Sequence, residues 1–393
     1  MISVLLIIAL LMLGIVFSVY VSYFSLVVRT KKKEDYLRLI DQLLDQPANF
    51  QELPSVTVLI PAYNEESNIF RKLRNISTYD YPKEKIEVIL LDDSSSDKTC
   101  KVASKAFEML GLKGRIMRND CRTGVNALFN RAIPSVDTDL VLLTDADVAA
   151  SKDALKKTVI VAVGLEEVGA VTGKMLLSTE KKSMASSVEA DYRVFYDLMS
   201  TCESAIYSTF PGYGAFILLR KSAFAPIPIY QGSSDGNLSL GVIRKRLKYI
   251  YVPQVVFFAK TAEKISDQRM QKVRRAARLI QSTFLNRDLL FNEKYEAFGK
   301  TIFPLRFAMM TICPPSFFIG LGSLFLASMY FCWPLSLSLI IGATLLFYVN
   351  KRVGKNTRVP LWSFLFHQLY LVLGLLMSYR KMSIWKPRAR KSY

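Results

Sequence analysis

Apolar segments without charge occupy both ends of the chain, and a mixed region separates them. Residues 1–28 carry no charged side chain and are long enough to span a bilayer as a helix. Two further uncharged stretches, residues 307–350 and 359–379, lie towards the C-terminus. Residues 30–306 have the length and the mixed polarity of a soluble domain that can bury its own core.

Short apolar runs alternate with amphipathic segments in the central region. The predicted elements are, in chain order, a strand over 55–60, a helix over 67–76, a strand over 85–91, a helix over 98–110, a strand over 115–118, a helix over 126–132 and a strand over 139–144. This alternation is typical of an α/β protein with a doubly wound, mostly parallel sheet.

Acidic clusters follow the second and the fourth predicted strand. Asp92 and Asp93 end the second strand, and Asp145 and Asp147 follow the fourth. Because the carboxyl ends of parallel strands share one edge of a sheet, both clusters are expected where α/β sheets bind ligands. Two carboxylates one residue apart can hold a hard divalent cation, which usually brings phosphates with it, although Asp is also common at strand ends and helix caps. We therefore predict a nucleotide and metal site at this edge.

Two common nucleotide-binding patterns are missing from the sequence. No G-x-G-x-x-G follows the first predicted strand, which argues against dinucleotide binding. The chain also contains no G-x-x-x-x-G-K-[ST], which argues against a P-loop ATPase.

The charge of the chain is explained more simply by a membrane than by nucleic acid. The formal net charge is +19, and the basic residues cluster beside the apolar segments. Lys31, Lys32 and Lys33 follow the first apolar segment and place the central domain on the cytoplasmic side by the positive-inside rule. A cleaved signal peptide is the alternative for residues 1–28, but that segment has no basic start and no small-x-small cleavage site.

Cysteine and histidine usage narrows the possible chemistry. The five cysteines show neither disulfide nor metal-ligand spacing and suit free thiols in a cytoplasmic domain. The single histidine, His367, lies inside a predicted membrane segment. Multi-histidine metal sites and histidine-based triads are therefore excluded from the central domain.

Four motifs, in order, resemble the inverting family 2 glycosyltransferases. They are the segments 60–65, 91–97, 145–147 and 234–240, the last continuing to Pro253. The resemblance covers roughly residues 55–281 and continues in the membrane layout. It implies the glycosyltransferase A fold, an α/β fold with a Rossmann-like, mostly parallel sheet, flanked here by N- and C-terminal transmembrane helices.

The resemblance implies roles for residues of these motifs. Asp235 matches the general base that takes the proton of the acceptor hydroxyl, although a loop aspartate before a helix is the plainer alternative. Asp145 and Asp147 match the residues that hold Mg²⁺ or Mn²⁺ on the donor diphosphate, and Asp93 matches the residue that binds the nucleobase edge. The other residues expected at the donor nucleotide are Pro61, Ala62, Tyr63, Glu65 and Arg122.

A second group of residues is expected at the acceptor or the diphosphate. Tyr213 and Gly214 lie in a segment similar to the acceptor side of the family, where Tyr213 either stacks on a sugar or packs in the core. Gln271 and Arg274 match the Q-x-x-R-W of polysaccharide synthases, but Arg275 replaces the tryptophan. The surrounding basic segment also fits an amphipathic helix on a membrane surface, and the two interpretations are compatible.

The sequence as a whole predicts a membrane-bound, metal-dependent inverting glycosyltransferase. Its expected partners are a nucleoside-diphosphate sugar, with a UDP-sugar favoured, a lipid-linked or surface glycan acceptor and membrane lipids, but no nucleic acid. Single addition is slightly favoured over a processive polysaccharide synthase because the Q-x-x-R-W motif is altered. A catalytically inactive membrane scaffold is the alternative class; it is supported only by Val125, in place of a family lysine, and Ser234, in place of a glutamate.

The predicted organisation has six parts. They are a transmembrane helix at 1–28, a linker or helix at 29–54, the catalytic domain at 55–260, basic amphipathic interface helices at 261–306, two or three transmembrane helices at 307–379 and a basic tail at 380–393. With the catalytic domain inside, three C-terminal crossings would leave the basic tail outside, whereas its charge favours the inside. The number of C-terminal spans is therefore left open.

Overall fold

The computed structural model describes residues 1–45, 53–177, 184–259, 265–331 and 360–379. A mixed sheet of eight strands forms the centre of this part of the chain. The strands are β1 (Val56–Ala62), β2 (Ile86–Asp92), β3 (Gly114–Arg118), β4 (Leu140–Thr144), β5 (Val148–Ala150), β6 (Val168–Leu177), β7 (Phe216–Arg220) and β8 (Lys248–Ala259). Their order across the sheet is β3-β2-β1-β4-β7-β6-β8-β5. The basic tail at 380–393 and the middle of the predicted C-terminal membrane region, 332–359, lie outside the described residues.

The first four strands run parallel, as the sequence predicts, but the rest of the sheet is mixed. Strand β7 is antiparallel to both of its neighbours, β4 and β6, and β5 is antiparallel to β8. In the β4–β7 pair, Phe216 at the start of β7 lies opposite Thr144 at the end of β4. The antiparallel entry of β7 therefore brings the segment before Phe216 beside the acidic residues that follow Thr144.

Helices cover both faces of the sheet because its strands are apolar and buried on both sides. The helices of this domain are α2 (Lys32–Asp45), α3 (Glu66–Ser77), α4 (Thr99–Leu110), α5 (Val125–Ser135), α6 (Ala154–Gly164), α7 (Met184–Ile206) and α8 (Ser234–Arg244). Helices α2, α3, α4 and α6 share one buried core with the sheet, and α5 and α8 share the other. The predicted helices and strands between residues 55 and 144 are confirmed, with ends shifted by at most a few residues.

Most of the remaining helices are apolar; the helix over Ile265–Leu285 is the basic exception. They are α1 (Ile2–Tyr23), continued by a wider turn at Phe24–Val28, then α9 (Ile265–Leu285), α10 (Phe303–Thr311), α11 (Cys313–Phe331) and α12 (Pro360–Ser378). Within the described ranges, the segments Ile2–Val28 and Cys313–Tyr330 are long and apolar enough to cross a membrane, and Phe364–Ser378 is a shorter apolar helix.

The first apolar helix packs against α11, although the two are far apart in sequence. A side chain added at Gly320 of α11 would place its Cβ 2.8 Å from Cγ of Leu13, so the small residue permits the close approach. The side of α1 opposite the buried Ala9 and Val16 is open, with Ile7 55% and Leu11 59% exposed. An apolar helix with one packed and one exposed side suits a lipid environment.

Helix α9 lies in the region 261–306, for which basic amphipathic interface helices are predicted, and it packs against another helix. Its apolar residues Val273, Ala277 and Ile280 are buried, and α12 packs along this side of the helix. Gly374 of α12 sits directly against Ala277, where a Cβ would be 2.9 Å from the Ala277 nitrogen. The apolar face is therefore covered by protein, while Arg275 remains exposed.

A buried ion pair joins the apolar helices to the central domain. The carboxylate of Glu203, on α7, accepts hydrogen bonds from Nε of Arg306 at 2.6 Å and from the hydroxyl of Tyr23 at 2.7 Å. Thr209 donates a further bond to the same carboxylate at 2.9 Å. Because Arg306 belongs to α10 and Tyr23 ends α1, one carboxylate links three helices.

Candidate active site

The loops that follow β1 and β2 are interlocked by hydrogen bonds between side chains and backbone. The amide of Asn64 donates to the hydroxyl of Ser95, and the amide of Ser96 donates back to the side-chain oxygen of Asn64, each at 2.9 Å. The amide of Glu65 donates to Oγ1 of Thr99 at 2.8 Å. These bonds hold the predicted nucleotide-binding segment 61–65 against the second acidic loop.

The carboxylate of Asp93 organises the loop that precedes α5. Its oxygens accept hydrogen bonds from the backbone amides of Thr123 and Gly124, each at 2.8 Å, and Arg122 lies 3.9 Å away. Asp93 is only 4% exposed. A nucleobase that bonds to Asp93 would share its carboxylate with these backbone donors, and nucleobase binding by Asp93 stays a prediction.

Arg122 and Tyr63, both expected at the donor nucleotide, are in direct contact. The guanidinium carbon of Arg122 lies 3.7 Å from the centre of the Tyr63 ring, which is a cation–π arrangement. The two side chains come from the loops after β1 and before α5. The structure therefore places these two residues side by side.

The Asp145-Ala146-Asp147 segment connects β4 to β5 at the edge of the sheet. The amide of Asp145 donates to the carbonyl of Ala215, which lies just before β7. Desolvation by the surrounding protein, followed by the nearby Asp147 carboxylate, raises the pKa of Asp145 even though the residue is exposed to solvent, and Lys72 and Arg275 oppose this rise. The pair of carboxylates is thus a place where a further cation would be stabilised.

Lys72 of α3 reaches this segment from inside the protein. Its ammonium donates to Oγ1 of Thr144 at 2.7 Å and to the carbonyl of Val148 at 2.8 Å, so it holds the residues on either side of Asp145 and Asp147. The side chain is 2% exposed, and burial lowers its pKa to about 7 against the attraction of the two carboxylates.

Sequence reasoning missed Lys72, although the sequence contains a signal. The residue stands among Ile69, Leu73 and Ile76, which are buried positions of α3. A lysine on the apolar face of an amphipathic helix is rarely buried unless it is paired. That placement alone marks it as a candidate for a role in the site.

Asp235 lies in the first turn of α8 and faces the segment before β7. The Ser233 side chain caps this helix by accepting from the Gly236 amide at 3.2 Å. A Cβ added at Gly214 would lie 3.0 Å from Cβ of Asp235, so the backbone at Gly214 passes directly beside the predicted base. The structure therefore brings Asp235, Gly214 and, through Ala215, Asp145 to one cleft.

Arginines of α9 line the same cleft. The charge of Arg275 lowers the pKa of Asp145. Burial lowers the pKa of Arg278, and the charge of Asp235 opposes this lowering. Burial, and then the neighbouring Arg278 and Arg275, lower the pKa of Arg274 to about 10. Gln271 is on the same helix and is exposed. A cluster of guanidinium groups beside paired carboxylates suits an anionic ligand bound together with a cation.

Tyr213 is held in an aromatic group. Its ring centre is 4.5 Å from that of Tyr196 and 6.0 Å from that of Phe257, and its hydroxyl donates to Asp197 at 3.4 Å. The residue is half-buried, which agrees with the core alternative for one side of the ring. Sugar stacking by Tyr213 stays a prediction.

The residues of the cleft fit a divalent ion shared with a ligand. Asp145 and Asp147 supply hard oxygen ligands one residue apart, directly after β4. Among the described residues, no group of three or more histidine, cysteine, aspartate or glutamate side chains is placed to hold a metal. Two carboxylates suit Mg²⁺ or Mn²⁺ when phosphate and water oxygens complete the coordination.

Comparison with known proteins finds a family match in the central region. The family model described as "Glycosyl transferase family 2" matches residues 57–223. An N-acetylglucosaminyltransferase of Rhizobium meliloti is 24% identical over 70% of this chain and 69% of its own length. A probable glycosyltransferase of Bacillus subtilis, YdaM, is 30% identical, but the match covers 35% of this chain and only 33% of that protein.

A solved structure shares the fold over nearly the whole chain. The mannosyltransferase PcManGT from Pyrobaculum calidifontis, in complex with GDP-Man and Mn²⁺, superposes with a TM-score of 0.71 at 22% sequence identity. The superposition covers 93% of this chain and 98% of that one. The likeness therefore extends well beyond residues 57–223, which match the family model.

Proposed function

Since residues 57–223 match glycosyltransferase family 2, we propose that the protein is a membrane-bound inverting glycosyltransferase. It transfers a sugar from a nucleoside-diphosphate sugar to a lipid-linked or surface glycan on the cytoplasmic side of the membrane. The observation that carries the proposal is the meeting of Asp235, Gly214 and Asp145 where β4 and β7 pair in opposite directions.

The proposed reaction is a single in-line displacement at the anomeric carbon. Asp235 takes the proton of the attacking acceptor hydroxyl, and the nucleoside diphosphate leaves with inversion. Asp145 and Asp147 would hold a divalent ion, which would supply positive charge to neutralise the leaving diphosphate. Arg275 adds positive charge to this side of the cleft, and Lys72 fixes the segment that carries both ligands.

A donor screen tests the proposed function. Purified protein is incubated with UDP- and GDP-sugars, Mg²⁺ or Mn²⁺ and a lipid extract as acceptor, and release of nucleoside diphosphate is measured. We expect one donor to be turned over when the extract is present. If no donor is turned over under any of these conditions, the result would favour the hypothesis of an inactive membrane scaffold.

Product length distinguishes single addition from processive synthesis. Arg275 stands where polysaccharide synthases carry an aromatic residue, and its charge lowers the pKa of Asp145. The position and charge of Arg275 favour a contact with the donor diphosphate over a stacking contact with the end of a growing polymer. We therefore expect one sugar per acceptor, which mass spectrometry of the product checks.

We predict that Mn²⁺ stabilises the wild-type protein through Asp147. Because an ion that binds only the folded state raises its stability, saturating Mn²⁺ should raise the melting temperature by several degrees. Asp147→Asn should remain folded, lose this rise and lose transfer. Asp80→Asn, a matched loss of charge at an exposed pair with Lys156, should keep both. A rise in D147N equal to that of the wild type would place the metal site elsewhere.

We predict that Lys72→Met lowers transfer by about 10- to 100-fold without a large loss of thermal stability. The variant frees the segment around Asp145 and Asp147 from its internal tether, and small misplacements of reacting groups cost about this much. The melting temperature should change little, because the lost hydrogen bonds are offset by removal of a buried charge. Lys156→Met, on the surface, is the control. Full activity of K72M would show that the tether is dispensable.

A further inference from the structure

We propose that Gln281 of α9 is a positioning residue for Asp235, and that it ties the base loop to the C-terminal end of α12. The base loop is the segment Gln231–Ser233, which leads into α8. The inference rests on the transferase function proposed above. It concerns residues that lie outside the four motifs.

Three side chains of α9 hold the backbone of the base loop. The amide of Gly232 donates to Oε1 of Gln281 at 3.1 Å, and the amide of Ser233 donates to Oγ of Ser282 at 2.9 Å. Nε of Arg278 donates to the carbonyl of Gly232 at 2.8 Å. Consecutive polar groups of the loop are thus bonded to a single helix.

The loop has no room to shift against α9. Gly232 has a φ of +76°, and an added Cβ would lie 2.5 Å from both Nδ2 of Asn237 and Oγ of Ser282. Ser233 is buried. The conformation at Gly232 therefore requires glycine, and the contacts fix the loop in one place.

The position of the loop determines the position of the base. Ser233 caps α8 through the Gly236 amide, and Asp235 is the second residue of that helix. A cap and its first turn move together, so a displacement of Ser233 is passed on to the Asp235 carboxylate. A general base must come within about 2.6–3.2 Å of the proton it takes, and an error of about 1 Å can cost roughly 100-fold in rate.

The other end of the Gln281 amide reaches α12. Its Nε2 donates to the carbonyl of Ser378 at 2.8 Å, and Ser378 is the last residue of that helix. Carbonyls in the last turn of a helix lack partners within it. Gly374, one turn earlier, brings α12 close enough for this bond, since its Cβ would lie 2.7 Å from Cβ of Ala276. One buried side chain therefore joins an apolar helix to the loop that leads into the helix of the base.

The first test compares Gln281→Met with Thr283→Val. The methionine side chain keeps about the volume of Gln281 but cannot form either hydrogen bond. Thr283 is buried on the same helix, and its hydroxyl donates to the backbone carbonyl of Leu279, one turn earlier in α9. We expect Q281M to lower kcat at least about 30-fold, with donor KM and nucleoside diphosphate Kd within about two-fold of wild type. T283V should lower the melting temperature by a similar amount and keep kcat. Wild-type kcat in Q281M, or equal losses in both variants, would overturn the proposal.

A second readout separates this proposal from the proposed function. Hydrogen exchange at the amides of residues 232–236 should be faster in Q281M than in T283V, whether or not a donor has been found. Unchanged exchange would overturn the positioning role. A wild-type protein that transfers no sugar would instead refute the proposed function, while the exchange comparison would still decide the role of Gln281.

The contribution of α12 is tested with two glycine substitutions. Gly374→Val forces α12 away from α9, whereas Gly322→Val on α11 adds a side chain with nothing within 4 Å. We expect G374V to reduce kcat as Q281M does, with nucleotide binding unchanged, and G322V to behave as wild type. Wild-type kcat in a folded G374V would remove α12 from the proposal.

Discussion

Asp235→Asn is expected to lower sugar transfer by about 10²- to 10⁴-fold, the range typical of removing a general base. The amide has the shape of the carboxylate but cannot take the proton of the acceptor hydroxyl. Its oxygen can still accept from the Gly236 amide, as Oδ1 of Asp235 does at 2.9 Å. The start of α8 should therefore keep its geometry, and donor binding should stay close to that of the wild type.

The measurement pairs transfer kinetics with nucleoside diphosphate binding. Asp288→Asn is a suitable control because it removes a similar charge from an exposed ion pair with Arg244. D288N should transfer at the wild-type rate. If D235N also does so, the base is a different residue; if D235N loses nucleotide binding as well, its role extends beyond proton transfer.

The second large effect is expected at the buried ion pair. Arg306→Met leaves the Glu203 carboxylate, which is 0% exposed, without its charged partner. Breaking a buried pair by removing one partner typically costs about 3–5 kcal/mol. We expect a large drop in the melting temperature and weaker attachment of α1, whose Tyr23 bonds to the same carboxylate.

A double variant tests this explanation. Adding Glu203→Gln to Arg306→Met removes the stranded charge, so the double variant should be more stable than R306M alone. Arg244→Met breaks an exposed pair and should cost about 0–1 kcal/mol. If the double variant is as unstable as R306M, packing rather than charge explains the loss.

The sequence predicts the first half of the sheet well and the second half poorly. The strands up to Thr144 are apolar runs separated by amphipathic helices, and such a pattern indicates both the type and the direction of each strand. β7 has a similar apolar run, Phe216–Arg220, but nothing in its composition reveals that it runs antiparallel to β4. Direction depends on where the chain re-enters the sheet, which is a tertiary property.

The candidate site shows the same division. Asp145 and Asp235 are recognisable because their motifs are local in sequence. The roles of Lys72 and Gln281 are not local, since they arise from contacts with residues 72 and 49 positions away, respectively. For Lys72 the only local signal is its place on the apolar face of α3. The amphipathic pattern of α9 predicts a surface that faces lipid, but the pattern cannot show whether lipid or another helix covers the apolar side.

The contact between α1 and α11 has a consequence for biosynthesis. The ribosome makes α1 before α11, which follows only about 300 residues later, and at roughly 5–20 residues per second this means a delay of roughly 15–60 s. During this interval the central domain can fold, but Glu203 and Tyr23 lack Arg306, which has not yet been synthesised. The final helix contacts therefore act as a late closing step, and a chain that stops early would expose an apolar surface that cellular quality control can recognise.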